Sequence, residues 1–284
     1  MNTIFASLEQ IANKTSQFCK RINYPQKVAF MHIPKCAGSS IMESLRQNNK
    51  ASWAGHIDGP KTRYDYTYYF RENSNIESIL EFEKEVYKYR QILLIDRFQK
   101  NHPIISGHIP FLHCLKSSYP DYFFFTVIRE PISRFLSAFN FSLRKGNLGT
   151  INLKLVEEKG IDYAFEKYLD LERSILEGSL LSIFLAECGK EEIELNNIEK
   201  KAYRGIDIFD CIVTSEKIDL LSEELKKRKI IKSKIGRYNV TNKAKNRFAM
   251  KTQTNLSNLQ KNKLEERCYL DSKIYAFIIN KSSL

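Results

Sequence analysis

A lysine, a glycine and two hydroxyls follow one another in Lys35-Cys36-Ala37-Gly38-Ser39-Ser40. At a helix N-terminus this set forms an anion site. The backbone N–H groups, the hydroxyls, the ammonium and the helix dipole all favour negative charge there. A second set lies 94 positions further on, where Arg129 is followed by Arg134 and Ser137. A guanidinium fork with a hydroxyl two helical turns away suits a phosphate monoester. Between the two sets stands His108, directly after Gly107. Its ordinary pKa suits proton transfer near neutral pH. The six cysteines (Cys19, Cys36, Cys114, Cys188, Cys211 and Cys268) include no CxxC pair and no metal-ligand spacing. No metal is implied. They read as reduced and mostly buried; Cys36, inside the anion loop, sits where a thiolate is favoured, and small-residue packing is the preferred reading of it.

These residues need elements to hold them. Lys27 to Ile33 is a short apolar run fit for a strand buried on both faces, ended by Pro34. Gly38 lets the loop backbone approach a ligand closely. Ser39 and Ser40 are good N-caps for a helix over 39–48. Pro103 to Gly107 reads as a strand carrying His108 at its end, at the same edge as Lys35. Tyr122 to Ile128, YFFFTVI, is the most strand-like run of the chain, and Arg129 leaves it. Pro131 then suits a first helical turn. Ile132, Phe135, Leu136 and Phe139 form one helical stripe, with Ser133, Ser137 and Asn140 on the other face. Helices are also expected at 1–20, 75–90, 161–170, 175–187, 191–203, 216–229 and 257–279, with a strand over 208–214. Residues 50–72 read as an irregular excursion rich in tyrosine. Alternating strands and helices give an α/β fold with a mainly parallel sheet, whose ligands bind beyond the carboxyl ends of the strands.

With 284 residues, 43% hydrophobic and 27% charged, the chain is long enough for one large domain with a proper core, expected over 1–284. It has no apolar run of transmembrane length and no signal-peptide core. A cytoplasmic location is expected. The net charge of +12 is uneven: Lys226 to Lys251 holds eleven Lys or Arg residues and no acid. Such a block implies acidic partners, a nucleotide or an anionic glycan among them, or else a solvated face.

The stretch HIPKCAGSS resembles the HIPKTAGTS loop of the membrane-type carbohydrate sulfotransferases (sulfotransferase family 2), and VIREPISRFLSAF resembles their RxPxxRxxSxY/F motif. The lysine precedes the glycine, so the pattern is not GxxxxGK[ST]. Supporting likenesses are ISGHIPF around His108, FDCIVTSEKI from Phe209, Tyr238 to Thr241, and Leu270 to Tyr275. The resemblance spans roughly residues 25–280. Residues 50–100 and 145–205 match nothing in the pattern, and acceptor choice is expected to lie there. Animal members usually carry an N-terminal anchor, and this chain shows none.

The resemblance implies a P-loop-like nucleotide fold. The donor would be 3′-phosphoadenosine 5′-phosphosulfate (PAPS), and the acceptor a carbohydrate hydroxyl on a glycan that is neutral or anionic. Lys35 would stabilise the leaving group, and Cys36, Ala37, Gly38, Ser39 and Ser40 would cradle the 5′-phosphate. Arg129 and Ser137 would take the 3′-phosphate, with Arg237, beside the Tyr238–Thr241 loop, closing over the nucleotide. His108 would act as base, His32 would orient the loop, and Arg134 would make a structural ion pair. His56, His102 and His113 are weaker candidates, and carboxylates within 50–100 are an alternative source of the base. Two rival readings are a kinase-like P-loop protein and a nucleic-acid binder using 226–251. The first lacks its Walker lysine, and the preferred reading involves no nucleic acid.

Overall fold

The computed structural model describes residues 26–48, 53–70, 78–187, 195–236 and 251–281. The expected helix over 1–20, Cys19, Cys188, Arg237, the Tyr238–Thr241 loop and the rest of the basic block from 237 to 250 lie outside them. Among the described residues there are five strands: β1 (Lys27–Met31), β2 (His56–Ile57), β3 (Ile104–Gly107), β4 (Tyr122–Ile128) and β5 (Cys211–Thr214). They form one sheet in the order β2-β3-β1-β4-β5, every pairing parallel. The helices are α1 (Gly38–Asn48), α2 (Gly59–Phe70), α3 (Ile79–Gln99), α4 (Leu115–Ser118), α5 (Pro131–Arg144) and α6 (Leu153–Asp170). There follow α7 (Glu172–Gly178), α8 (Leu180–Leu185), α9 (Leu195–Gly205), α10 (Ile218–Lys227), α11 (Asn258–Arg267) and α12 (Tyr269–Lys281). The fold is α/β and P-loop-like, with helices flanking the sheet.

The central strands are apolar because both their faces are covered. Every residue of β4 is buried, and so are Val28, Ala29, Phe30 and Met31 of β1. A second apolar cluster joins α5 to α6 and α11, through Phe135, Phe139, Phe165, Tyr168 and Leu264. Pro131 opens α5, and the Glu130 carboxylate accepts from the amides of Ile132 at 3.0 Å and Ser133 at 2.7 Å.

Several expected elements take another form. Residues 59–70 are helical rather than irregular. Asp58 accepts from the Lys61 amide at 2.6 Å, Pro60 fits the first turn, and Lys61 pairs with Asp65. Arg90 of α3 then donates to Gly59 O at 2.7 Å and Thr62 Oγ1 at 2.8 Å, contacts made across sequence that no local pattern reveals. The helix from 75 is α3, running on to Gln99. The run expected at 175–187 breaks at Ser179 into α7 and α8, where the buried Asp271 carboxylate accepts from the Leu181 and Ser182 amides at 2.8 Å each. The expected 257–279 helix is divided at Cys268 into α11 and α12.

Candidate active site

The register of the sheet builds the site. Met31 of β1 pairs with Gly107 of β3, so the next residues, His32 and His108, emerge side by side at the carboxyl edge. Their rings lie 4.0 Å apart, centroid to centroid. The His32 ring also stacks on Phe30 at 5.4 Å, and Phe30 stacks on Phe125 at 4.8 Å. The His32 carbonyl lies 2.8 Å from His108 Nδ1. A carbonyl oxygen only accepts, so Nδ1 carries the proton and Nε2 keeps its lone pair. Burial is the main cause that lowers the His108 pKa to about 4, with Arg90, His56 and Lys35 adding to it. The ring is therefore neutral at pH 7.

His32 also touches the anion loop. A Cβ added at Gly38 would fall 1.6 Å from His32 Nε2. The close approach that requires glycine at 38 is to a buried imidazole. Burial holds the His32 pKa well below the ordinary value, with His108 contributing.

The loop itself is wound through left-handed backbone at Lys35 (φ 68) and Ala37 (φ 61). Alternation of this kind turns successive N–H groups towards one concavity, an anion nest. The Ala37 carbonyl accepts from Ser40 N at 3.0 Å and Ile41 N at 3.4 Å. Helix α1 starts at Gly38, so Ser39 and Ser40 lie within its first turn rather than capping it. Ser39 is exposed and Ser40 buried. Among the described residues no hydrogen bond engages the amides of Ala37, Gly38 and Ser39. The N-terminus of α5, in contrast, is already taken by Glu130. Of these two helix N-termini, it is that of α1 whose first amides have no partner among the described residues.

Lys35 Nζ lies 4.0 Å from the centre of the Phe141 ring on α5. Its pKa is lowered to about 8, first by burial, then by Arg144; Glu177 opposes and Arg129 adds a smaller lowering. Arg129 follows β4 and donates to the Lys35 carbonyl at 3.5 Å, a long contact that brings the guanidinium against the loop. Ser137 stands on α5 one turn before Phe141 and is half-buried. The strand edge thus brings together Lys35, the α1 amides, Arg129 and His108, and α5 presents Ser137 on the turn before Lys35's aromatic partner.

Cys36 takes the packing reading and not the thiolate one. Its thiol is fully buried and pushed up to about 12 by that burial, so no thiolate forms in the loop. Arg134 makes the expected ion pair, with Glu177 at 3.2 Å in the interior. Asn140 faces inward, where its amide exchanges hydrogen bonds with the Lys251 backbone at 2.7 and 2.9 Å. His56 Nδ1 lies 3.0 Å from Ser106 Oγ. His113 Nε2 lies 2.8 Å from the Leu185 carbonyl, which makes that histidine a pin between segments. Asp58 is engaged in capping and Glu83 pairs with Arg63.

The start of the basic block lies away from this edge. Arg228 stacks at 4.0 Å over Phe123, near the beginning of β4, and donates to Gln26 Oε1 at 3.1 Å just before β1. Lys226 and Arg228 are also paired with Glu223 and Glu224. Residues 226–229 therefore stand at the amino edge of the sheet, opposite Lys35. Sequence reasoning also missed Arg90, Phe141 and Asp271, whose partners lie on other elements.

A family model described as the sulfotransferase family matches residues 21–174, just over half of the chain. The chain belongs to the sulfotransferase family. It is thereby a transferase of the sulfuryl-transfer class, in a family that generally uses PAPS as donor. The match includes both the Lys35 loop and the Arg129–Ser137 segment. No curated protein matches the chain. Among the described residues, no group of three or more His, Cys, Asp or Glu side chains is arranged to hold a metal ion. No helix among them is long and apolar enough to cross a membrane.

Proposed function

We propose that this sulfotransferase moves the sulfuryl group of PAPS to a hydroxyl of a carbohydrate acceptor. The observation that carries the reading is the open nest at the start of α1. Among the described residues nothing engages the amides of Ala37, Gly38 and Ser39, Lys35 springs from the nest, and Arg129 touches it from the next strand. Amides and the Ser39 and Ser40 hydroxyls would hold the 5′-phosphate end. Arg129 and Ser137 would take the 3′-phosphate and so select PAPS over nucleotides that lack it.

In the reaction the acceptor oxygen attacks sulfur in line as the bond from sulfur to the bridging phosphate oxygen breaks. Adenosine 3′,5′-bisphosphate leaves with that electron pair. Lys35 stabilises the charge that grows on the bridging oxygen. His108 Nε2 receives the proton of the attacking hydroxyl, because Nδ1 is committed to the His32 carbonyl. An anionic donor beside His108 raises its pKa from the resting value and makes it a better base.

The test is transfer of labelled sulfate from PAPS to a panel of saccharides, with phenols and alcohols as competing acceptors. The expected result is saccharide sulfation that Lys35→Ala reduces by at least ~10²-fold, the size of removing one preorganised charge-stabilising group. Transfer to phenols alone would refute the acceptor class, and undiminished transfer by Lys35→Ala would refute the role of the lysine.

A further inference from the structure

We propose that Arg90 is a positioning residue for sulfuryl transfer: it grips the main-chain carbonyl of His108 and ties it to the first turn of α2. The inference rests on the role of His108 given above. Arg90 lies midway along α3, and its side chain is buried. All three of its nitrogens are engaged. Nε donates to Thr62 Oγ1 at 2.8 Å, Nη1 to the His108 carbonyl at 3.1 Å and Nη2 to the Gly59 carbonyl at 2.7 Å. A planar guanidinium offers these donors at fixed angles, so one side chain sets three oxygens relative to one another. The next residue, Gln91, donates to the Pro110 carbonyl at 3.1 Å. Two neighbours on α3 thus hold the segment that carries His108 at both ends, with Ile109 buried between.

His108 is then fixed from two sides. Its ring is bound through Nδ1 to the His32 carbonyl after β1, and its backbone is bound to α3. Nε2 is left in one place to meet the acceptor hydroxyl. Gly59, held by the same guanidinium, comes so close that an added Cβ would sit 3.4 Å from His108 Cδ2, the ring atom bonded to Nε2. A displacement of about 1 Å at a reacting group can cost ~10²-fold in rate.

Holding α2 against α3 does not need this arginine. Arg63 of α2 pairs with Glu83 of α3, and Tyr66 packs against Phe82 and Tyr89. A buried cation is also a costly strut. Among the described residues the hydrogen-bond partners of Arg90 are neutral oxygens. Glu83 and Asp58 attract it through space, but they are bonded to Arg63 and the Lys61 amide, and the Tyr87 ring lies 5.6 Å away. What the guanidinium adds is the grip on His108 and a positive charge beside its ring. Burial does most to keep that imidazole neutral, and the Arg90 charge adds to it, as do His56 of β2 and Lys35 of the loop. The His32 ring lies tilted against it from β1.

The test measures kcat, bisphosphate affinity and the pH profile of Arg90→Lys and Arg90→Gln, alone and combined with His108→Ala, with whichever acceptor wild type sulfates. Turnover is counted per bisphosphate-binding site, so unfolded protein does not enter it. Both single variants are expected to lose about 10–100-fold in kcat, the scale of a misplaced base, while bisphosphate affinity stays within about twofold. Added to His108→Ala, either change costs less than about threefold, because the group it positions is gone. In Arg90→Gln the acid limb of kcat/KM moves to higher pH, since a cation that opposed the imidazolium is lost. In Arg90→Lys, which keeps the charge without the fork, the limb moves less. Wild-type kcat in both single variants, with His108→Ala inactive, overturns the positioning role and leaves the base reading standing. A loss fully additive with His108→Ala, with the acid limb unmoved, is a structural effect and overturns it too. Wild-type turnover by His108→Ala overturns the base reading and this inference with it.

Discussion

Gly38→Ala tests the packing that joins the anion loop to the candidate base. The new methyl would lie 1.6, 1.9 and 2.3 Å from three atoms of the His32 ring. That ring cannot swing aside cheaply, since Phe30 stacks on it at 5.4 Å and the His108 ring lies tilted against it at 4.0 Å. Either the ring leaves its place or α1 backs away. Overpacking typically costs about 1–3 kcal/mol, and three such contacts put this change at the upper end, about 3 kcal/mol. At about 2–4 °C per kcal/mol for a chain of this size, the melting temperature falls by roughly 6–12 °C. Gly59→Ala is the matched control. Its methyl meets His108 Cδ2 at 3.4 Å, an ordinary contact, and alanine suits a helix better than glycine. Its melting temperature stays within about 2 °C of wild type. Removing the wedged ring in Gly38→Ala/His32→Ala should recover part of the loss, a coupling that a double-mutant cycle measures. The assay is thermal or urea unfolding of wild type, Gly38→Ala, His32→Ala, Gly38→Ala/His32→Ala and Gly59→Ala. A Gly38→Ala protein as stable as Gly59→Ala would refute the argument that His32 occupies this space.

Further expectations follow from the same geometry. His108→Ala should lower turnover by about 10²–10⁴-fold while leaving bisphosphate affinity within a factor of two or so, as expected for loss of a positioned base; equal losses in both would assign His108 a structural role. For wild type, kcat/KM should fall as pH rises through about 8, where free-enzyme Lys35 loses its proton. It should also fall as pH drops towards about 4, where His108 gains one; a flat profile from pH 7 to 9.5 would remove Lys35 from the rate expression. Stability has its own dependence. The folded-state pKa of His108 is depressed, so the unfolded chain binds the proton more readily, and this contribution is full above the ordinary value and lost as pH falls from about 6.5 to 4. Urea midpoints across that window that do not decline would contradict the neutral buried imidazole.

Much of the fold was legible where one local pattern decided it. The apolar runs of β1, β3 and β4 became strands, and Pro131 with the Phe135, Leu136 and Phe139 stripe became α5. The loop after β1 and the side-by-side placement of His108 follow from the parallel register, itself a consequence of alternating strands and helices. What escaped depends on partners distant in sequence. Helix α2 opens with Gly59-Pro60 and carries five aromatic residues, and it is pinned by an arginine about thirty residues later. Asp271 decides where α7 ends and α8 begins from about ninety residues away. Cys36 looked reactive from its cationic neighbours, but burial outweighs them. The place of the first residues of the basic block is set by distant partners too, since Arg228 is held on Phe123 at the other end of the sheet. His32 looked like a loop residue and is the wall shared by the loop and the candidate base.

The central claim is that one nucleotide with two phosphates bridges the α1 nest and Arg129. The most direct measurement is titration calorimetry with adenosine 3′,5′-bisphosphate and with AMP, on wild type and on Arg129→Ala. The account predicts that wild type binds the bisphosphate at least ~10-fold more tightly than AMP, the worth of one charge-assisted contact of about 1.5–3 kcal/mol. Arg129→Ala should erase that preference and leave AMP affinity nearly unchanged. Equal affinity of wild type for the two nucleotides, or a preference that survives in Arg129→Ala, would contradict it.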